Sequence, residues 1–153
     1  MKTLIICDSK HRGNTRKIAD VMAEALGATI VGSDKVQAGD LGQYDLVGFG
    51  SGIYMGKHDQ NLLSLVDKLP FGSGKKVFLF SSSLKGLVQM DKNHKALKDK
   101  LRAKDYDVIG NFSCLGSATF GPLKWLGGIN KNHPDAEELD LARMFAEGVG
   151  SGL

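Results

Sequence analysis

Hydrophobic positions along the chain follow two alternating patterns. Short, nearly unbroken apolar runs occur at Thr3–Cys7, Ala28–Val31, Leu46–Gly50, Lys76–Phe80 and Tyr106–Phe112. Runs this short and apolar predict strands covered on both faces, as parallel sheets require. Between them the apolar residues recur at helical spacing. Ile18, Val21, Met22, Ala25 and Leu26 share one face of a helix that Gly27 closes. Leu62, Leu63, Val66 and Leu69 mark a second helix, ended by Pro70. Asn93–Lys104 predicts a lysine-rich third with Ala96, Leu97 and Leu101 inward. A fourth opens at Asp135-Ala136-Glu137-Glu138 with capping-box spacing, and Leu141, Met144, Phe145 and Val149 are its expected buried face. Tyr106–Phe112 is the more polar strand and is expected at a sheet edge. Ser33–Tyr44 leaves room for a short helix at most.

Strands separated by helices predict an α/β fold: a three-layer sandwich with a five-stranded parallel sheet of order 2-1-3-4-5 and helices on both faces. Ligands in such sheets sit beyond the carboxyl ends of the strands, near the switch point beside strand 1. The loops after strands 1, 3, 4 and 5 are therefore where chemistry is expected.

Composition bounds this picture. With 153 residues, 42% hydrophobic and 24% charged, the chain has the size and balance of one globular domain, expected to span 1–153. Cys7 and Cys114 form no CxxC pair, and no apolar run approaches the ~18 residues of a membrane span. The start is too short for a signal peptide, so a cytoplasmic setting is expected. A net charge of +3 does not by itself call for nucleic acid. Twenty glycines fit loops in which backbone turns sharply or approaches a ligand closely.

After strand 1, Ser9-Lys10-His11-Arg12-Gly13-Asn14-Thr15 runs directly into a helix. Hydroxyls, a glycine and amides at a helix head make an anion site, and they equally make a plain cap with Asn14 satisfying the helix. No GxxxxGK[ST] string occurs, and Cys7 and Arg12 miss the spacing of a phosphatase loop by one residue, which leaves Cys7 as a buried, inert thiol. After strand 3, Gly50-Ser51-Gly52-Ile53-Tyr54-Met55-Gly56-Lys57-His58 sets large, flat or polarizable side chains among glycines, either to cover a flat ligand or to fold back on the core. Ser81-Ser82-Ser83 after strand 4 offer short donors for a ligand or a cap. The long loop Ser113–His133 carries Trp125, which either covers a ligand ring or packs the loop onto the domain. His11, His58, His94 and His133 fall in different loops or on a solvated helix, without the spacing of metal ligands. The basic excess of residues 85–104 reads as a solvated helix face or as a docking patch for an acidic protein.

Taken together, these loops resemble the flavodoxin family over essentially the whole chain, Gly13-Asn14-Thr15 entering the helix being the most specific piece. The resemblance implies that FMN is the cofactor, with Ser9, Gly13, Asn14 and Thr15 on its phosphate. Tyr54, Met55 and Gly56 would line the isoalloxazine, and the loops after strands 4 and 5 would flank its other side. Three features depart from the family pattern. Lys10-His11-Arg12 makes the phosphate loop one residue longer and more basic, Met55 stands where tryptophan is common, and the chain is not acidic. The implied function is electron transfer between redox partner proteins, a reductase and an acceptor, with docking through the lysine-rich 85–104 and no part for nucleic acid. The alternative is an FMN oxidoreductase on the same fold that uses NAD(P)H or a quinone, as in protoporphyrinogen-oxidase-like members. A receiver-type signalling module would need an aspartate at the end of strand 3, where the chain reads Gly48-Phe49-Gly50. Because the reduced flavin ring carries negative charge, Lys57 and His58 are expected to stabilise it. One unit charge at ~8 Å in an effective dielectric of ~20 is worth ~2 kcal/mol, or ~90 mV for one electron.

Overall fold

A computed structural model describes residues 1–9, 13–84, 86–115 and 133–152. The elements run β1 (Thr3–Asp8), α1 (Asn14–Leu26), β2 (Thr29–Val31), β3 (Leu46–Tyr54), β4 (Lys57–His58), α2 (Gln60–Lys68), β5 (Lys76–Ser83), α3 (Met90–Ala103), β6 (Asp107–Leu115) and α4 (Ala136–Ser151). Between β2 and β3 the chain makes two 3-10 turns, Ser33–Lys35 and Asp40–Gln43, in place of a full crossover helix.

The sheet order is β2-β1-β3-β5-β6, with all four of those neighbouring pairs parallel. This is the expected five-strand order, and the polar strand β6 lies at its edge. One element differs from expectation. The glycine-rich stretch after Gly50 is not a loop: β3 continues to Tyr54, turns at Met55-Gly56 and returns as β4, antiparallel, with Ile53 opposite His58 and Tyr54 opposite Lys57. Both turn residues have positive φ, 53° and 79°, the signature of the two-residue hairpin turn that matches strand twist. Asn-Gly is the usual sequence for such a turn, and Met-Gly conceals it.

Two cores flank the sheet. One packs Ile6, Val47, Phe49, Val77 and Leu79 against Leu62, Leu63 and Val66 of α2 and Leu97 and Leu101 of α3. The other packs Ile5, Phe78, Phe80 and Phe112 against Ile18, Ala19 and Met22 of α1 and Ala142, Ala146 and Val149 of α4. The α4 face is a correction to the sequence reading. Its small residues Ala142 and Ala146 are fully buried, whereas Leu141 and Met144 are exposed. The other two expected positions hold: Phe145 packs against Phe78 and Phe112, and Val149 is buried, so the inward stripe runs through Ala142, Phe145, Ala146 and Val149. Its head carries the expected capping box, Asp135 accepting from the Glu138 amide at 2.8 Å.

Gly48 and Gly50 in β3 show why this central strand tolerates glycine. A Cβ on Gly48 would lie 2.3 Å from the Phe78 ring, and one on Gly50 would lie 2.2 Å from Phe80. The phenyl rings of β5 occupy the volume that the glycines leave. Gly50→Ala forces a buried ring out of place and is expected to lower the unfolding free energy by about 1–3 kcal/mol. Urea denaturation measures this, and an unchanged midpoint contradicts the packing described.

Candidate functional site

Parallel register brings the chemistry-bearing loops to one end of the sheet. Asp8 stands beside Ser51, Ser51 beside Ser81, and Ser81 beside Ser113, so the carboxyl ends of β1, β3, β5 and β6 finish in one polar row. The turn Met55–Gly56 and the head of α1 lie at this same end.

At the head of α1, the N-cap position is Gly13, with φ 69° and no side chain to cap the helix. The capping oxygen comes instead from Ser9, whose hydroxyl accepts from the Arg16 amide at 3.2 Å. Asn14 and Thr15 are buried in the first turn, and Thr15 Oγ1 meets Ser82 Oγ at 2.8 Å, joining α1 to the end of β5. That turn contains no acidic residue; Arg16 and Lys17 follow at once. A helix head with positive dipole, hydroxyls and basic neighbours suits a phosphate dianion. Asp8, just before it, is held away by the Ser33 amide at 2.9 Å and the Ser33 hydroxyl at 2.5 Å.

Serine hydroxyls after the central strands divide by face. Ser51 is fully buried, donates to the Gly52 carbonyl at 2.7 Å and accepts from the Asp59 amide at 2.8 Å. Ser81 is fully buried between His94 and Ser113. Both side chains therefore serve the interior. Ser82, on the opposite face of β5, pairs with Thr15, and Ser83 accepts from the Gly86 amide at 2.9 Å. In the β3–β4 hairpin, Tyr54 is half-buried and folds back so that its hydroxyl lies 2.7 Å from the place of a Gly52 Cβ; burial raises its pKa. Met55 is fully exposed at the tip. Lys10, His11, Arg12, Lys85 and Trp125 lie outside the described residues.

The histidines overturn the sequence reading most clearly. His58 and His94 are neither in loops nor on a solvated face: both are buried, with ring centroids 4.6 Å apart. His94 Nε2 meets Ser81 Oγ at 2.7 Å and its Nδ1 meets Asn111 Oδ1 at 2.9 Å. His58 Nε2 faces the Phe80 carbonyl at 3.1 Å. A carbonyl only accepts, so this nitrogen carries the proton, and the bare Nδ1 has no hydrogen-bond partner. Burial pushes the His58 pKa down to about 3, with His94 adding to the effect and the Phe80 carbonyl opposing it. Burial lowers that of His94 as well. His58 is thus neutral and cannot act as the cation expected of it, while Lys57 beside it is exposed on β4. No signal short of the fold could have paired two histidines 36 positions apart, since each sits in a locally polar stretch. Burial also raises the Cys7 thiol to about 12, which makes it the inert group expected.

Two further sequence features are absorbed by the fold. His133 and Asp135 converge on Glu138, but Glu138 Oε2 also accepts from the Leu115 amide at 2.8 Å, which ties α4 to the end of β6. Of the lysines in 85–104, Lys100 pairs with Asp67 at 2.7 Å, Lys104 donates to the Asp67 and Leu69 carbonyls, and Lys95 pairs with Asp99. The Lys100 and Lys104 contacts clamp α3 to the end of α2, the Lys95 pair lies within α3, and Lys92 and Arg102 are outward charges beside the half-buried Lys98. Beyond the 86–89 turn a cleft of about 280 Å³ is lined by Leu87, Val88, Phe112, Leu115 and Leu141.

Comparison with known proteins fits this geometry. Residues 4–119 match the family model described as a flavodoxin domain. The chain belongs to the flavodoxin family. It is 42% identical over 153 residues to the uncharacterized protein MJ0298 of Methanocaldococcus jannaschii, covering 97% of this chain and 98% of that one. Among solved structures it is similar to a short-chain flavodoxin associated with a non-canonical PDU bacterial microcompartment, at a TM-score of 0.75 and 16% identity over 99% of both chains. Oxidised flavodoxin 2 of Bacillus cereus aligns at a TM-score of 0.72 and 18% identity over the whole of both chains. Likeness at those identities speaks to the flavodoxin fold. No described helix is long and apolar enough to cross a membrane.

The buried histidines set the acid response of this flavodoxin-family chain. Above the ordinary imidazole pKa of ~6.5 they are neutral whether folded or unfolded; below it the unfolded chain takes up protons that the folded chain refuses. Stability is therefore expected to fall as pH drops below ~6.5, by up to about 1.4 kcal/mol per pH unit for each buried histidine. Urea unfolding at pH 7.5, 6.5 and 5.5 measures the slope, which His58→Gln reduces. A profile unchanged by that substitution contradicts the assignment.

Proposed function

We propose that this protein is an FMN-binding electron carrier that exchanges electrons with larger redox proteins. The observation that supports it most is the head of α1, where Gly13 takes the place of a capping side chain, Ser9 and Thr15 add hydroxyls, and no acid enters the first turn. FMN is the cofactor of this family, and the donor set is suited to its phosphate. Ser9, Lys10, His11, Arg12, Gly13, Asn14 and Thr15 would hold that phosphate. Backbone of 51–52, the side chains of Ile53, Tyr54 and Met55, and Gly56 would lie along the ring, with the segment after β5 and Trp125 on its far side.

When bound, FMN supplies the one- and two-electron chemistry, so the protein needs no nucleophile or general base of its own. The chain's task is to bind, orient and tune. Met55, exposed at a backbone conformation that costs a non-glycine residue about 1 kcal/mol, presents an apolar thioether at the turn tip. Lys57 adds a cation beside it. The same reading places the partners' docking near the outward Lys92 and Arg102 of α3, and the protein in the cytoplasm.

The purified protein is expected to be yellow or to turn yellow with added FMN, and acid is expected to release FMN rather than FAD. A colourless protein that takes up no FMN defeats the proposal. Anaerobic NAD(P)H is expected to leave the bound flavin unbleached on the time scale of mixing; rapid bleaching makes the protein an oxidoreductase instead. Lys57→Gln is expected to lower the midpoint potential, by no more than ~90 mV because the exposed charge is screened. Spectroelectrochemistry of both forms reads the shift, and a potential that stays put or rises excludes Lys57 as the tuning charge.

A further inference from the structure

The hairpin that carries Tyr54 and Met55 is weakly tied to the sheet. β4 is two residues long and pairs only with the end of β3. Among the described contacts, three hold its base: the His58 ring against His94 of α3, the His58 Nε2–H on the Phe80 carbonyl, and the Asp59 amide on Ser51. By contrast β1, β3 and β5 are each paired on both sides.

We infer that the His58–His94 contact is a positioning device for this hairpin, which holds β4 against α3 while both rings are uncharged and lets the hairpin swing away, with the parallel sheet intact, once either ring takes a proton. For such a proton the surroundings offer hydrogen-bond acceptors, the Phe80 carbonyl and Asn111 Oδ1, which offset only part of the cost of burial. β3 contributes Tyr54, a neutral phenol, and Ser51; β5 contributes Ser81 and the Phe80 carbonyl, with Lys76 at the opposite end of the strand. β6 contributes the neutral Asn111 and Ser113. On α3, Asp91 and Lys98 act on His94 in opposite directions. The Asp59 carboxylate, next to His58, accepts from the Asn61 amide as the cap of α2. A second imidazole 4.6 Å away makes charging either ring harder still. Burial, which depresses both pKa values, points the same way. The hairpin rather than the sheet yields, because opening it exposes one edge of contact while opening the sheet exposes both cores.

The inference rests on the proposed FMN site only for its consequence: a displaced hairpin no longer carries Tyr54, Met55 and Gly56 to the ring, so acid weakens cofactor binding. Hydrogen exchange on the cofactor-free protein tests the motion by itself. After correction for intrinsic rates, amides of 52–59 are expected to exchange about 30-fold faster at pH 5.0 than at pH 7.5, since opening grows roughly tenfold per pH unit below ~6.5, while 3–8 and 76–83 stay protected. The double variant His58→Gln/His94→Gln, which keeps amide donors at both places, is expected to lose this acceleration. Equal protection at both pH values in the parent, or acceleration that persists in the variant, overturns the inference. Should the variant not fold, an NMR titration of the parent decides: protonation of His58 or His94 must track loss of protection at 52–59, and protonation with the hairpin still protected overturns it. With FMN as the probe, affinity is expected to weaken more between pH 7.5 and 5.0 in the parent than in the double variant. Equal weakening in a protein that binds FMN breaks the link to the cofactor. A protein that binds no FMN at either pH defeats the proposed function and leaves the exchange result standing.

Discussion

A parallel sheet buried on both faces leaves its strand ends crowded with polar backbone, and each group there needs a partner. In this chain Ser51 partners the Gly52 carbonyl and the Asp59 amide, Ser83 partners the Gly86 amide, and the other hydroxyls partner one another or a histidine. Ser51, Ser81 and Ser113 sit side by side across β3, β5 and β6, and Ser82 reaches the other way to Thr15 at the head of α1. The row closes the end of the sheet and fixes the loops above it. The helix head, the hairpin turn and the segment after β5 are held at one end because the hydroxyls beneath them are already satisfied.

That row divides the sheet end into two electrostatic halves. On the α1 side, amides, hydroxyls and Lys17 favour an anion, while Arg16 is paired with Asp20 at 2.8 Å. On the α2 and α3 side, the space under the hairpin is filled by two uncharged imidazoles among serine and asparagine. A ring system bridging the two would meet charge at its phosphate end and little at its other end, save for Lys57 at the rim. This arrangement differs from a uniformly acidic surface, and under the proposed function it would move the tuning of a bound flavin from bulk charge to the local contacts of one turn.

Much of this was legible in the residues. Strand and helix periodicities gave the sheet order, Gly27 and the Asp135–Glu138 box gave helix ends, and Gly13-Asn14-Thr15 marked the helix head that resembles a phosphate site. Misreadings came where a local pattern and a distant neighbour disagreed. Leu141 and Met144 fit the helical stripe of α4, yet the inward face runs through Ala142, Phe145, Ala146 and Val149 and leaves those two outside. The hairpin at 53–58 was hidden by Met55, a residue that seldom takes a positive φ. Lys100 and Lys104 of the lysine-rich stretch turned out to anchor α3 to carbonyls and to Asp67 at the end of α2.

Sequence by itself determined the class of fold, the family and the sheet end at which the cofactor site is proposed, because hydrophobic periodicity and helix-head chemistry are local and written into consecutive residues. Tertiary structure alone decided the ionisation of His58, the capping of α1 by Ser9 and the inward turn of Ser51 and Ser81. Protonation depends on how much water and which partners surround a group, and those are set by residues tens of positions away that only the folded chain brings together.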